Sequence, residues 1–126
     1  MKKIIHSDKA PQAIGPYSQA IHTPDFVFTS GQIAIDPASG KLIKGGIKEQ
    51  TRRVMENLKA ILEAAGTDFT KAVKVTVYLI DMNEFGQFNE IYSEYFTSNQ
   101  PARSAVQVAA LPLGASIEIE IIACSG

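Results

Sequence analysis

An arginine and two glutamates stand on two predicted strands near the carboxyl end of the chain. Arg103 heads the apolar part of NQPARSAVQVAALP, residues 99 to 112, and Glu118 and Glu120 lie in IEIE at 117 to 120. A guanidinium offers two parallel donors to a planar carboxylate, which a lysine cannot do. A glutamate close to the bound acid can orient or deprotonate a water molecule. These residue types predict a site for a small organic acid, with Arg103 as its clamp and Glu118 as general base.

Strand alternation gives a first orientation for these side chains. If Val106 and Val108 face the helices, Arg103, Ala105 and Gln107 face the other way, toward a subunit interface. The two glutamates would share that face, because the isoleucines between them form one apolar set. A cross-strand or intersubunit ion pair between the arginine and a glutamate, with no chemical role, is the alternative that spacing leaves open.

The elements that position these residues alternate between strand and helix patterns. Asp81 and Glu84 give a helix-start signal before an aromatic stripe that we interpret as core, and Gly66 is predicted to end the preceding helix in the left-handed conformation. The predicted order is a strand over 26–35 broken at Ser30-Gly31, a helix from Ile47 to Gly66, a strand over 73–80, a second helix through Phe96, and strands over 104–110 and 117–123. This order predicts an α+β fold, with one sheet and two helices on one face.

The second face of this sheet needs a cover. Two helices cover one face only, yet the strands at 73–80 and 104–110 carry apolar or small residues on both faces. Another copy of the same chain is the simplest cover, so the pattern predicts a homo-oligomer.

Composition narrows the class of protein. The 126 residues predict one domain, 1–126, and a formal charge of −1 without a basic patch argues against nucleic acid as a partner. No stretch is long and apolar enough for a membrane span, and no apolar signal core follows Met1, so a cytoplasmic location is expected. Cys124 is the single cysteine, and His6 and His22 are far apart, so we predict no metal site.

Five motifs occur together in one order along the chain. They are AIGPYSQA at 13–20, SGQI at 30–33, NEIYSEYF at 89–96, PARSAVQVAALP at 101–112 and IEIE at 117–120. In these motifs the chain resembles the RidA (YjgF) family of enamine/imine deaminases. The resemblance covers nearly the whole chain and implies a chorismate-mutase-like α+β fold and a homotrimer with pockets between neighbouring subunits.

The resemblance also implies an activity. Relatives of this kind hydrolyse 2-imino acids such as 2-iminobutanoate and 2-iminopropanoate to 2-oxo acids and ammonia, without a cofactor, and so protect pyridoxal-phosphate enzymes from damage. Arg103 and the backbone at Ala105 would then bind the substrate carboxylate, and Glu118 would position the water. Tyr17 would line the pocket with its hydroxyl near the reacting atoms, and Ser30, Gly31 and Asn89 would complete the wall.

Several alternatives accompany these roles. The alternative for Tyr17 is a packing aromatic at a strand start, although the resemblance favours the pocket. The alternative for Ser30 is a turn residue whose hydroxyl bonds to nearby backbone, and for Asn89 a cap or bridge. Many family members carry cysteine at the position of Ala105, so any function that depends on that thiol is in doubt here. The rival functions are a small-carboxylate binding module, a ribonuclease, translation-inhibitor or chaperone-like role, and, from fold alone, chorismate mutase.

Overall fold

Six strands form one mixed sheet in the computed structural model, which describes residues 1–126. Two of its interior strands, β6 (Ala72–Leu79) and β8 (Ile117–Cys124), run antiparallel to each other, and β6 runs parallel to the edge strand β7 (Ala102–Gln107). In spatial order the strands are β1 (Lys3–Ile5), β2 (Ala20–His22), β3 (Phe26–Thr29), β8 (Ile117–Cys124), β6 (Ala72–Leu79) and β7 (Ala102–Gln107).

Two helices pack on one face of this sheet, as the sequence predicts. Helix α1 spans Ile47–Ala64 and helix α2 spans Phe85–Tyr95. Gly66 follows α1 with a φ of +80°, which confirms the left-handed cap. Asp81 begins a 3-10 turn rather than α2 itself, and its side chain accepts a hydrogen bond from the Asn83 amide. The apolar faces of both helices bury the core against the sheet.

The central strand β8 separates its side chains by face. Ile117, Ile119 and Ile121 are fully or almost fully buried under the helices, whereas Glu118 and Glu120 are half-buried on the open face. This confirms the alternation predicted for IEIE. The isoleucine set therefore fixes the direction in which both carboxylates point.

The predicted strand over 26–35 is broken where the glycine suggested. Strand β3 ends at Thr29, Gln32 forms an isolated bridge with Ile119, and a short hairpin follows from strands β4 (Ile35–Asp36) and β5 (Lys41–Leu42). The short strands β1 and β2 carry no alternation long enough to predict them.

Two predicted strands differ in detail from the observed ones. Strand β7 begins at Ala102 and ends at Gln107, earlier than the predicted 104–110. In β6 a register irregularity between Ala72 and Lys74 turns Val73 outward, so Val73 is 40% exposed whereas Val75 is fully buried.

The face opposite the helices divides into two regions. An apolar region lies on β1, β2, β3 and the end of β8, and a polar region lies on β6, β7 and the rest of β8. The apolar side chains are Ile4, Ile21, Phe26, Phe28 and Ile122. No helix of the chain has the length and apolar character that a membrane crossing requires.

Candidate active site

Arg103 points toward the helices, which corrects the orientation taken from alternation. In the parallel ladder Arg103 lies opposite Val75 and Ala105 opposite Val77, and both valines are fully buried under the helices. Residues directly opposite on neighbouring strands share a face, so the arginine and the alanine face α2. Val106 is 44% exposed on the other face. The prediction was wrong because it assigned the buried face to the valines, whereas the aromatic stripe of α2 accommodates a guanidinium.

The Arg103 guanidinium is held by one helix. Its Nη1 donates a hydrogen bond of 2.8 Å to Asn89 Oδ1, and its Cζ lies 4.7 Å from the ring centroid of Tyr92. It makes no salt bridge and no other hydrogen bond to the chain, although the side chain is half-buried. A guanidinium has five N–H donors, so most of them are free for an anion.

A cleft of ≈ 620 Å³ opens beside this guanidinium. Asn89, Tyr92 and Phe96 of the α2 region form one wall, and Gln100, Pro101 and Arg103 form the other. We call this cleft and its lining the arginine half-site. Ala105 lies two residues further along the same strand, packs against the core and does not line the cleft. The outer edge of the β7 backbone is unpaired because β7 is the last strand of the sheet.

Glu118 lies in a second cavity, of ≈ 580 Å³, on the opposite side of the sheet. Tyr17 and Gly31 line it with Glu118, and Ile14 and Leu113 form part of its apolar rim. We call this cavity the glutamate half-site. A Cβ on Gly31 would clash with the Glu118 carboxylate, so only glycine at this position leaves room for that side chain. SGQI and IEIE therefore meet in one site.

The environment of Glu118 suits a base. Burial raises its pKa above the ordinary value for glutamate, and the charge of Glu120 adds to the effect. Glu120 itself accepts a hydrogen bond of 2.7 Å from the Tyr78 hydroxyl. Glu118 makes no hydrogen bond to the chain, so its oxygens are available to a water or a substrate, and a base with a raised pKa is easier to reprotonate.

The loop that carries Tyr17 is fixed by two polar residues. Ser30 Oγ donates a hydrogen bond of 2.6 Å to the Ser18 carbonyl. The hydroxyl therefore fixes the backbone, and Ser30 lines neither half-site. Gln19 is 2% exposed, accepts from the Ser7 amide at 2.6 Å and donates to the Pro11 carbonyl at 2.7 Å. Sequence reasoning missed Gln19, and its only signal was a polar residue inside the GPYSQ motif.

A buried asparagine fixes the opposite wall of the glutamate half-site. Asn57 on α1 is fully buried, and its Nδ2 donates to the Ile35 carbonyl at 2.9 Å and to the Ile33 carbonyl at 3.4 Å. Both isoleucines line the cavity, so the helix supports this wall directly. Nothing in the helical pattern of α1 distinguished this asparagine from a surface residue.

The two half-sites do not meet within one chain. Arg103 and Glu118 are two strands and three ladder positions apart, or roughly 14 Å between Cα atoms, and they point to opposite faces of the sheet. The ion pair between Arg103 and a glutamate is therefore absent within the chain. The side chains also form no group of three or more histidine, cysteine, aspartate or glutamate residues able to hold a metal ion.

Known proteins resemble this chain over almost its whole length. The sequence profile described as Endoribonuclease L-PSP matches residues 7–125. The human 2-iminobutanoate/2-iminopropanoate deaminase is 52% identical over 126 residues, covering 100% of this chain and 92% of its own. The structure of RidA from an Antarctic Psychrobacter is 45% identical with a TM-score of 0.93, covering 97% and 98% of the two chains. Escherichia coli TdcF with bound serine is 43% identical with a TM-score of 0.94, covering 98% and 99%. The chain therefore belongs to the YjgF/RidA family, also described as the Endoribonuclease L-PSP family.

Proposed function

We propose that this protein is an imine deaminase that hydrolyses 2-imino acids such as 2-iminobutanoate and 2-iminopropanoate to 2-oxo acids and ammonia. The observation that carries the proposal is Arg103, a half-buried guanidinium without a carboxylate partner at the mouth of a cleft. Relatives named for this reaction are about half identical to the chain over its full length. The TdcF structure adds that a relative holds serine, which carries a carboxylate next to a nitrogen-bearing carbon.

The reaction requires little machinery. Arg103, with the β7 backbone at Ala105, binds the substrate carboxylate, and Asn89 holds the guanidinium. Glu118 takes a proton from water as the oxygen bonds to the carbon of the protonated imine, and it then returns this proton to the nitrogen. It takes the remaining hydroxyl proton as the carbon–oxygen double bond forms, the carbon–nitrogen bond breaks and ammonia leaves. Tyr17 lines the space around the reacting atoms. A 2-imino acid is already electrophilic, so orientation and solvent exclusion are sufficient and no cofactor takes part.

The reaction also implies an assembly. Carboxylate clamp and general base lie on opposite sides of one sheet, so the active site forms when the arginine half-site of one copy meets the glutamate half-site of its neighbour. The exposed apolar region on the open face, including Phe26 and Phe28, supports such a contact. We propose a homotrimer of single-domain chains, with three such pockets, in the cytoplasm. There it removes reactive imines that damage pyridoxal-phosphate enzymes.

The rival functions have less support. An RNA-directed role has only the family description behind it, since the net charge is −1 and the exposed Lys48 and Arg52 are already paired with Glu90 and Glu94. A carboxylate-binding module would use the same clamp but would leave Glu118 without a purpose. A small organic acid is therefore the ligand both of the deaminase and of the binding module, and catalytic turnover distinguishes the two.

The test generates 2-iminobutanoate with a threonine dehydratase and traps it with semicarbazide. Wild-type protein should suppress trapping catalytically, and Arg103→Ala should lose about 10- to 100-fold in kcat/KM, because a charge-assisted contact is worth about 1.5–3 kcal/mol. Arg103→Lys, the matched control, keeps the charge without the fork and should recover little. A folded wild-type protein that binds 2-oxobutanoate but leaves the trapping rate unchanged would contradict the enzyme and favour the binding module.

A further inference from the structure

Three aromatic rings of α2 surround the guanidinium of Arg103. Its Cζ lies 4.7 Å from the ring centroid of Tyr92, 5.3 Å from that of Phe85 and 5.7 Å from that of Phe88. These residues follow one another at helical spacing and present one face to β7. We call the three rings the aromatic sleeve. Sequence reasoning assigned them to the core alone.

Tyr92 is the member of the sleeve that joins the core to the guanidinium. It is 5% exposed and packs against Phe88 and Phe96. Its contact with the guanidinium is made by the ring, because the hydroxyl oxygen has no hydrogen-bond partner within bonding geometry. The ring of Tyr92 is also the one closest to the guanidinium, and it lines the cleft.

Two kinds of partner restrain the Arg103 guanidinium. Asn89 uses one N–H of the guanidinium, and the rings offer π faces to its charge. Ring faces attract the cation without consuming any N–H donor, so the guanidinium is restrained while its free donors remain available to an anion. A carboxylate partner would have restrained it by occupying those donors.

From this arrangement we propose that Tyr92 is a positioning residue: its ring, with those of Phe85 and Phe88, fixes the Arg103 guanidinium in the orientation that binds the substrate carboxylate. The sleeve acts on substrate only through Arg103, and this inference rests on the proposed function for its kinetic consequence. This inference implies that the sleeve and Asn89 can still bind a free guanidinium ion when the Arg103 side chain has been removed.

Restraint of the guanidinium is measurable without substrate. NMR of the side-chain N–H groups can follow rotation about the Nε–Cζ bond, and the chain has only three arginines, so comparison with Arg103→Lys identifies the signal. Hindered rotation is expected in the wild type and in Tyr92→Phe, which keeps the ring, and fast rotation is expected in Tyr92→Leu. Equal rotation rates in all three proteins would overturn the inference.

Kinetics and chemical rescue test the consequence. Tyr92→Leu should raise KM roughly tenfold with kcat changed much less, whereas Tyr92→Phe should stay close to wild type. Ethylguanidinium should restore activity to Arg103→Ala and to Arg103→Ala/Tyr92→Phe but not to Arg103→Ala/Tyr92→Leu. Absence of rescue in Arg103→Ala, or equal rescue in all three, would overturn the proposal, because a merely structural tyrosine would not control the binding of a free guanidinium.

Two safeguards keep the experiment decisive. If Tyr92→Leu does not fold, Phe85→Leu takes its place, since Phe85 is only half-buried and its ring lies 5.3 Å from the guanidinium. A wild-type protein without imine hydrolysis would contradict the proposed function, and the NMR comparison would still decide whether the sleeve restrains Arg103.

Discussion

The Glu118 carboxylate combines burial, a like charge nearby and freedom from hydrogen bonds. Burial first and Glu120 second raise its pKa above the ordinary glutamate value. A general base acts only when ionised, so kcat/KM should fall as pH drops through this raised pKa. Glu118→Gln should lose about 100-fold in activity and lack this inflection. A pH–rate profile in the semicarbazide assay measures both effects.

The matched control for this prediction is Glu120→Gln. It removes the smaller cause of the raised pKa while an amide oxygen can still accept from the Tyr78 hydroxyl. The inflection should therefore move to lower pH without a large loss of maximal rate. An identical inflection in wild type, Glu120→Gln and Glu118→Gln would assign it to protonation of the imine and contradict the role of Glu118.

The raised pKa of Glu118 also predicts how folding stability depends on pH, with a sign opposite to that of the activity. Folded Glu118 binds its proton more tightly than the unfolded chain does, so its contribution to stability is present at low pH and declines as pH rises through the raised pKa. The difference in Tm between Glu118→Gln and wild type should therefore grow from acid toward neutral pH.

At this scale the sequence predicted which residues lie near a cavity better than it predicted the direction of their side chains. Of the predicted site residues, Arg103, Asn89, Glu118, Tyr17 and Gly31 line one of the two cavities, whereas Ser30 and Ala105 line neither. The predicted direction of the Arg103 side chain was wrong because its guanidinium packs on aromatic rings on the helix side of the sheet. A pattern of apolar residues does not predict that a charged side chain lies on that side. Burial of a small polar residue such as Asn57 depends on contacts from distant parts of the chain.

Two glycines beside open space differ in backbone conformation: Gly66 follows the end of α1, and Gly86 lies in the first turn of α2. Neither Gly66 nor Gly86 would bring an added Cβ within 4 Å of another heavy atom. Gly66 has a φ of +80°, so Gly66→Ala should cost about 1–2 kcal/mol of stability through backbone strain alone. Gly86 is the second residue of α2 and has no positive φ, so Gly86→Ala should gain roughly 0.5 kcal/mol, the low end of the range for a helix interior.

Denaturant unfolding at matched protein concentrations measures this pair of variants. The change from glycine to alanine should lower the free energy of unfolding at Gly66 and raise it at Gly86, because Gly66 adopts the left-handed conformation and Gly86 the helical one. Destabilisation by both substitutions would show that Gly86 supports packing of α2, and stabilisation by both would contradict the assigned cap.

Elements with long repeating patterns could be predicted, and short ones could not. Helix α1 and strand β8 each repeat their apolar period several times, so their type, bounds and buried face follow from sequence. Strands β1 and β2 have three residues each and owe their conformation to the neighbouring strand. The outward Val73 results from a local irregularity in pairing with β8, which no property of β6 alone specifies.

The proposed function makes activity depend on assembly, because Arg103 and Glu118 lie in separate cavities of one chain. The uncovered second face of the sheet could be anticipated from the apolar residues on both faces of its strands, and the fold leaves an exposed apolar region there. The number of copies does not follow from one chain, since it depends on the angle at which two surfaces meet.

Subunit mixing tests whether neighbouring copies share each site. Arg103→Ala and Glu118→Gln chains are each expected to be nearly inactive as pure oligomers. After co-refolding at a 1:1 ratio, a site with both groups intact forms wherever the arginine of a Glu118→Gln chain meets the glutamate of an Arg103→Ala chain, which in a closed ring is about one quarter of all sites. Activity should therefore return to about a quarter of the wild-type value per site.

The mixing control uses two variants in the same half-site. Arg103→Ala mixed with Asn89→Ala would place both defects in the arginine half-site, so no neighbour supplies the missing guanidinium and activity should remain the simple average of the two pure proteins. Recovery in the first mixture but not in the second requires a shared pocket. Two inactive parents that stay inactive after verified subunit exchange would instead place both groups in one chain's site, and the sheet would have to rearrange to bring Arg103 and Glu118 together.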